Sequence, residues 1–355
     1  MTSTGTLVER RHDVDWLRVI ALGLLIVYHI SISFQPWGVM IFFPQNNQPL
    51  TEIWPAMSMI NVWRIPILFL VSGMGVSFAM ARRNWLELLK ERSLRILVPL
   101  GFGFLLICPI SVIAAQHYFV SALTYVPNLG HLWFLANIYI YVLVFLPLLY
   151  LIKTKPDQAA LRGLKAMFRQ PWTLFLFAIP LMISAWLSDP EFYTGYAGSM
   201  HGFWLGMICF FIGFLFASIG PTFWRAAQGI RFFSLAVALA LYIVRTFVDE
   251  TYATINWLAG FETMCWMLAI LGFTSLYLNK PSRALSYLNK AVFPVYILHM
   301  PVQHALCNII LRNTLPPSIK FILLIVCTFA ICMAIYEFVL RRNKWLGPFF
   351  GIKVR

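Results

Sequence analysis

A chain of 355 residues that is 60% hydrophobic and only 11% charged has too few polar residues to cover a soluble globule of its size. Apolar runs of about 18 to 25 residues recur along it, the length at which an α-helix crosses about 30 Å of hydrocarbon. The formal charge of +14 then indicates basic loops kept on the cytoplasmic side and not a nucleic-acid partner. We predict an all-α, polytopic integral membrane protein.

The apolar runs predict about ten transmembrane helices in a single domain that covers residues 1–355, with no appended soluble domain. In chain order the first six cover about 15–34, 57–80, 92–115, 131–152, 171–187 and 201–218. The seventh starts after residue 231 and ends near 248, the eighth covers 252–278, the ninth lies between 290 and 312, and the tenth starts after 320 and ends near 340. With 14 N-terminal residues and the tail 341–355 in the cytoplasm, 23 of the 27 lysines and arginines lie inside. The positive-inside rule therefore predicts that both termini are cytoplasmic.

The first predicted helix carries three ionisable residues on one face. Asp15, Arg18 and His29 share that face, and His29 lies about 16 Å further along the axis than Arg18. An imidazole at membrane depth suits proton transfer near pH 7, so we predict His29, with Asp15 on its face, as the catalytic residues. The alternative is that Arg18 is an interfacial anchor, Asp15 its ion-pair partner and His29 a hydrogen-bonded packing residue.

Two arginines stand three residues apart where the third predicted helix begins. Arg92 and Arg95 are neighbours on one helix face, where they add to the positive end of the helix dipole. Guanidinium groups in this arrangement suit the phosphates of a donor substrate. On spacing alone, ordinary positive-inside charge is the simpler explanation of both residues.

Five more residues are candidates for a substrate cavity or an acceptor site. Glu262 lies near mid-depth in the eighth predicted helix, and Tyr296 and His299 lie in the ninth. One of Glu262, His299 and His304 is expected to face the same cavity as His29, and another to be a structural hydrogen-bonder. His131 and Trp133 stand at a helix end, where an interfacial aromatic belt is the simpler interpretation.

No metal site is predicted. The six cysteines lie in apolar segments without a C-x-x-C pair, which is typical of small core residues. His299 and His304 are five residues apart and do not share a helix face, which does not favour a metal pair.

Three local contacts are also predicted. The stretch from Ser72 to Gly75 is small enough to permit close helix approach. Arg245 stands one turn before Asp249, and Glu337 stands four residues before Arg341. Both spacings favour ion pairs within a helix.

Five short motifs, in order, resemble the acyltransferase-3 family of membrane O-acyltransferases. They are D-x-L-R with a histidine eleven residues after its arginine, Leu-Phe-Leu-Val-Ser-Gly, R-x-x-R followed by proline, His-Leu-Trp-Phe-Leu, and Val-Tyr-Ile-Leu-His-Met-Pro, at residues 15–29, 68–73, 92–99, 131–135 and 295–301. The similarity extends nearly from end to end. The segment Trp-Arg-Ile-Pro-Ile-Leu-Phe and the compact length look most like the glucan biosynthesis protein C branch.

The resemblance implies an enzyme in the bacterial inner membrane. It would move an acetyl or succinyl group from cytosolic acyl-CoA to a hydroxyl of an extracytoplasmic glycan. His29 would be the general base or a transient acyl carrier, and Arg18, Arg92 and Arg95 would hold the donor's phosphates. Acyl-CoA, the glycan acceptor and the lipid bilayer are thus the implied partners, and a homo-oligomer is left open.

Two departures from the family pattern and two other functions bear on this interpretation. Trp16 stands where relatives often have glycine, and there is no C-terminal SGNH-type hydrolase domain such as some relatives use to complete transfer. A transporter is the main alternative, since intramembrane ionisable residues also mark substrate paths. A noncatalytic partner in an envelope assembly is a third hypothesis.

Overall fold

The computed structural model describes residues 10–155, 158–248 and 255–352, and those residues form helices and loops without a β-strand. The α-helices are α1 His12–Ile32, α2 Trp54–Met80, α3 Trp85–Phe102, α4 Cys108–Tyr118, α5 Trp133–Thr154, α6 Ala159–Met167, α7 Ala178–Ser188, α8 Met200–Ile219, α9 Pro221–Ile243, α10 Asn256–Tyr277, α11 Arg283–Ile310 and α12 Pro317–Ala334. Wider π-helical turns extend or join them at Gly103–Ile107, Val244–Val248 and Ile335–Leu340.

Nine helical stretches within the described ranges are long and apolar enough to cross a membrane. This confirms the all-α, multi-pass class predicted from composition. The ninth predicted helix exists as α11, with 28 residues, but its polar composition leaves it outside these nine stretches. The predicted start of the eighth helix at Tyr252 lies outside the described residues, and α10 begins at Asn256.

Two compact units divide the described chain. Unit 1 comprises residues up to Arg18, Ile65–Lys90 and Ile140–Ser286, and unit 2 comprises Val19–Arg64, Glu91–Tyr139 and residues from Tyr287 onward. In unit 1, α10 packs against α7 and α9. In unit 2, α11 meets the end of α1, α4 and the turn before α5 through the side chains described below.

The third helix begins seven residues earlier than the arginine pattern predicts. The Asn84 side chain accepts a hydrogen bond from the backbone N–H of Glu87 at 2.8 Å, and the Glu87 carboxylate accepts one from the N–H of Asn84 at 3.2 Å. This reciprocal capping box fixes the helix start at Trp85. Arg92 and Arg95 therefore lie inside α3. The prediction that they add to the positive end of its helix dipole is wrong.

The prediction that the seventh helix starts only after residue 231, with Arg225 and Arg231 in a loop before it, is also wrong, because both residues lie in α9. Gly220 takes a φ of 72°, which ends α8, and Pro221 then opens α9 at once. Glycine adopts this left-handed conformation without a Cβ clash, and proline fits the first helical turn. A single residue thus separates the two helices.

The close helix approach predicted at Ser72 to Gly75 is confirmed between α2 and α8. A Cβ added to Gly73 would lie 1.8 Å from the backbone oxygen of Phe210, and one added to Gly213 would lie 1.9 Å from that of Leu70. Only hydrogen atoms fit between the two backbones there. This crossing lies wholly within unit 1.

Candidate active site

A histidine pair lies at the end of α1 in unit 2. Nδ1 of His29 is 2.9 Å from Nε2 of His299 in α11, and the two ring planes are 7° apart. The sequence predicted His29 well inside the first helix. Because α1 ends at Ile32, His29 lies instead in its last turn. The pairing joins residues that are 270 positions apart in the chain.

Hydrogen bonding assigns the protons of this pair. Nδ1 of His299 lies 2.6 Å from the carbonyl oxygen of Tyr296, and a carbonyl only accepts, so that nitrogen carries a proton. In a neutral imidazole the other nitrogen is then an acceptor, so Nδ1–H of His29 donates to Nε2 of His299. The remaining nitrogen of His29, Nε2, consequently holds a free lone pair.

The free nitrogen belongs to the more accessible of the two rings. His299 is 0% exposed, whereas His29 is half-buried. Among the described residues, Nε2 of His29 has no hydrogen-bond partner. A basic ring nitrogen can accept a proton from a bound molecule when a hydrogen bond at the other ring nitrogen orients the ring and the basic nitrogen itself has no partner.

His131 and Tyr296, both predicted for the cavity, hold the other side of His299. The ring of His131 meets His299 edge-on with centroids 4.8 Å apart, and its Nε2 lies 3.1 Å from the carbonyl oxygen of Ile297. The Tyr296 hydroxyl donates to the backbone oxygen of His131. These contacts join the turn that precedes α5 to α11. Trp133 begins α5, beside this turn.

A fourth histidine completes the cluster through an aromatic contact. Nδ1 of His304 lies 3.0 Å from both the hydroxyl and the backbone oxygen of Ser111 in α4. Phe43 packs edge-on against His304 at 5.2 Å and lies 6.0 Å from the His29 ring centroid. Gln303 donates to the backbone oxygen of His29 at 2.9 Å. The sequence did not indicate Phe43 or Gln303, because neither residue type alone marks a site.

Arg64 is a buried cation in this unit that is not among the predicted site residues. It lies ten residues inside α2, and its guanidinium carbon is 3.4 Å from the ring centroid of Tyr28, the residue before His29. A signal was present, since an arginine within an apolar run of this length is a candidate functional residue.

The predicted donor-binding arginines of α3 lie on its accessible surface. Arg95 is exposed and lies 3.8 Å from the carboxylate of Glu91, whereas Arg92 is half-buried. Both belong to unit 2. Their role remains a prediction.

Asp15 and Arg18 begin α1 in unit 1. The Asp15 carboxylate accepts hydrogen bonds from Arg10 at 2.7 and 3.0 Å and lies 3.5 Å from Arg18. The catalytic role of Asp15 remains a prediction.

Glu262 is bound within unit 1. Its carboxylate accepts a two-point hydrogen bond from Arg245 at 2.8 and 3.0 Å and a third from the indole N–H of Trp266 at 3.2 Å. The predicted partner of Arg245, Asp249, lies outside the described residues. The other predicted helical pair is confirmed, since Arg341 donates to Glu337 at 2.6 and 2.8 Å.

Within the described ranges, no group of three or more His, Cys, Asp or Glu side chains could hold a metal ion. The six cysteines are free thiols, five buried and one half-buried. Nδ1 of His29 and both nitrogens of His299 are instead used in hydrogen bonds between the two rings and to a backbone oxygen.

The fold and the histidine cluster together define a class, a multi-pass helical membrane protein with a directly hydrogen-bonded histidine pair. Residues 11–337 match the family model described as an acyltransferase domain, that of acyltransferase-3. The chain belongs to this family, and it is a membrane acyltransferase. No curated protein and no solved structure was found to match it.

Proposed function

We propose that this chain moves an acetyl or succinyl group from cytosolic acyl-CoA to a hydroxyl of an extracytoplasmic glycan, with His29 as the general base. The observation that carries the proposal is the hydrogen-bond chain from His29 through His299 to the Tyr296 carbonyl. It leaves Nε2 of His29 with a lone pair, which is the form of histidine that a general base requires.

In the proposed reaction the acceptor hydroxyl gives its proton to Nε2 of His29 while its oxygen bonds to the thioester carbonyl carbon. The tetrahedral intermediate then collapses, the carbon–sulfur bond breaks, and the proton passes from His29 to the departing thiolate. His299 is a positioning residue, because its Nε2 accepts from Nδ1–H of His29 and stabilises the imidazolium while it exists. Tyr296 in turn orients His299.

We propose that Arg18, Arg92 and Arg95 hold the phosphates of the donor. Guanidinium groups offer paired donors that suit phosphate, and Arg92 and Arg95 lie one turn apart inside α3. Asp15 contributes as the carboxylate that holds Arg18. For His131 and Trp133 we propose acceptor contacts at the start of α5. Glu262 is proposed only as a structural anion, given its three hydrogen bonds.

The finer identity and topology are also proposals. We infer ten crossings, with α11 as the tenth, in one domain with both termini in the cytoplasm of a bacterial inner membrane. The location of 23 of the 27 basic residues on one side under this topology supports it. The Trp-Arg-Ile-Pro-Ile-Leu-Phe segment at 63–69 supports the glucan biosynthesis protein C branch.

The experiment compares purified wild type with His29→Ala and His117→Ala. His117 is an exposed histidine of unit 2 that contacts Asn308 at 2.8 Å, so its replacement is a matched control. Each protein is incubated with radiolabelled acetyl-CoA or succinyl-CoA and a crude envelope-glycan fraction, and thioester loss and label transfer are measured.

We expect transfer by the wild type and His117→Ala and none by His29→Ala. Equal turnover in a folded His29→Ala protein would refute the role of His29. If no folded protein consumes either donor, acyl-CoA-dependent transfer is refuted and the transporter hypothesis takes precedence.

A further inference from the structure

Arg64 is a positive charge held deep in the apolar part of unit 2. It is 6% exposed and lies in the apolar stretch Thr51–Met80, of which α2 forms the main part. Burying a guanidinium away from water costs several kcal/mol, and arginines inside membrane helices generally face protein or a polar cavity. Such a residue is a candidate functional group, and the general-base step described above does not use it.

The guanidinium of Arg64 is held in a defined position. Its central carbon lies 3.4 Å from the ring centroid of Tyr28, and its Nη2 donates to Oδ1 of Asn61 at 2.9 Å. The aromatic face and the amide oxygen are neutral groups that orient the cation. A charge fixed before the reaction needs no reorganisation when an opposite charge develops beside it.

The position of this charge relates it to the base. Tyr28 immediately precedes His29 in α1 and packs in one buried cluster with Phe43, whose ring centroid lies 6.0 Å from that of His29. Before acyl transfer the imidazole, hydroxyl and thioester are all neutral. In the tetrahedral intermediate the imidazole is positive and the former carbonyl oxygen is negative, so a nearby fixed cation favours the oxygen's negative charge.

We propose that Arg64 is a catalytic residue that binds the acyl carbonyl oxygen and stabilises its negative charge in the tetrahedral intermediate. The inference rests on the proposed acyl-transfer function. As the hydroxyl oxygen bonds to the carbonyl carbon, the carbonyl π electrons move to that oxygen beside the guanidinium, and His29 takes the hydroxyl proton. When the carbon–sulfur bond breaks, the carbonyl re-forms and the thiolate leaves with the proton from His29.

The test measures kcat and donor KM for the purified wild type, Arg64→Met, Arg64→Lys and Arg64→Ala. Arg342→Met is the control, because Arg342 is an exposed arginine of the same unit that lies over Phe338. Removing an oxyanion donor typically lowers kcat about 100- to 1000-fold. We expect that loss in Arg64→Met with KM nearly unchanged, a smaller loss in Arg64→Lys, and partial recovery of Arg64→Ala when guanidinium chloride is added at millimolar concentration.

The outcomes separate this inference from the proposed function. Wild-type turnover with an unchanged kcat in Arg64→Met would overturn the role of Arg64 and leave acyl transfer intact. A folded Arg64→Ala that gains no activity from guanidinium, together with a raised KM, would also overturn it. If Arg64→Met fails to fold, the Arg64→Lys rate and the guanidinium response decide. An inactive wild type would refute both proposals together.

Discussion

Replacing His299 by phenylalanine tests whether the histidine pair fixes the proton of His29. Phenylalanine keeps an aromatic ring in the fully buried site but removes the Nε2 acceptor and the Nδ1–H that donates to the Tyr296 carbonyl. His29 then loses the only partner that the described residues give to its Nδ1. Its proton can move to Nε2, the nitrogen that must be free to act as a base.

The size of the effect follows from the bond that is lost. The 2.9 Å hydrogen bond between the rings becomes charge-assisted when His29 is protonated, and such bonds contribute about 1.5–3 kcal/mol. At about 1.36 kcal/mol per factor of ten, kcat should fall about 10- to 150-fold. A complete change of tautomer would carry the loss toward about 10,000-fold, the effect of the corresponding change in serine proteases.

The assay combines kinetics with a direct view of the proton. kcat and donor KM are measured for wild type, His299→Phe and the matched control His117→Phe, and nitrogen-15 spectra of labelled histidine report the tautomer of His29. We expect kcat to fall with KM unchanged, and the His29 signals to move toward the Nε2–H form. An unchanged kcat, or an unchanged tautomer in a folded variant, would refute the reasoning.

Four further predictions concern stability, measured as thermal unfolding of the detergent-purified protein. Gly213→Ala forces a contact of 1.9 Å toward the ordinary 3.4 Å, so α2 and α8 must separate and unfolding should become easier by about 1–3 kcal/mol. Gly163→Ala, where an added Cβ meets nothing within 4 Å, should be neutral or stabilising by up to about 1 kcal/mol. Arg245→Met should cost about 3–5 kcal/mol, because it leaves the Glu262 carboxylate buried without its cation. Asn84→Ala should cost about 1 kcal/mol by removing the cap of α3.

Each of these has an outcome that contradicts it. Equal unfolding temperatures for Gly213→Ala and Gly163→Ala would mean that the two backbones are not in contact at the crossing. Adding Glu262→Gln to Arg245→Met should recover most of the lost stability, and no recovery would show that the ion pair is not the cause. If Asn84→Ala and Asn47→Ala, which replaces an exposed loop asparagine, unfold alike, the cap contributes nothing particular to α3.

Individual residues show how far the sequence could be interpreted. Arg341 pairs with Glu337 as predicted, because a spacing of four on a helix decides which side chains meet. Arg245 has its carboxylate partner on α10, in Glu262, a contact between helices that local spacing does not encode. Arg92 was assigned to a helix start because the basic residues were used to place that start. The capping box of Asn84 and Glu87 begins α3 at Trp85 instead.

The sequence by itself determined the helical membrane class, the approximate spans and the family. These depend on composition, run length and short motifs, which are properties of neighbouring residues along the chain. Only the tertiary structure decided that His29 pairs with His299, which lies 270 positions away, and that Arg64 lies over Tyr28. Such pairings depend on the rotation and packing of separate helices. An apolar run does not specify its own rotation, because nearly all of its faces are equally compatible with lipid or protein.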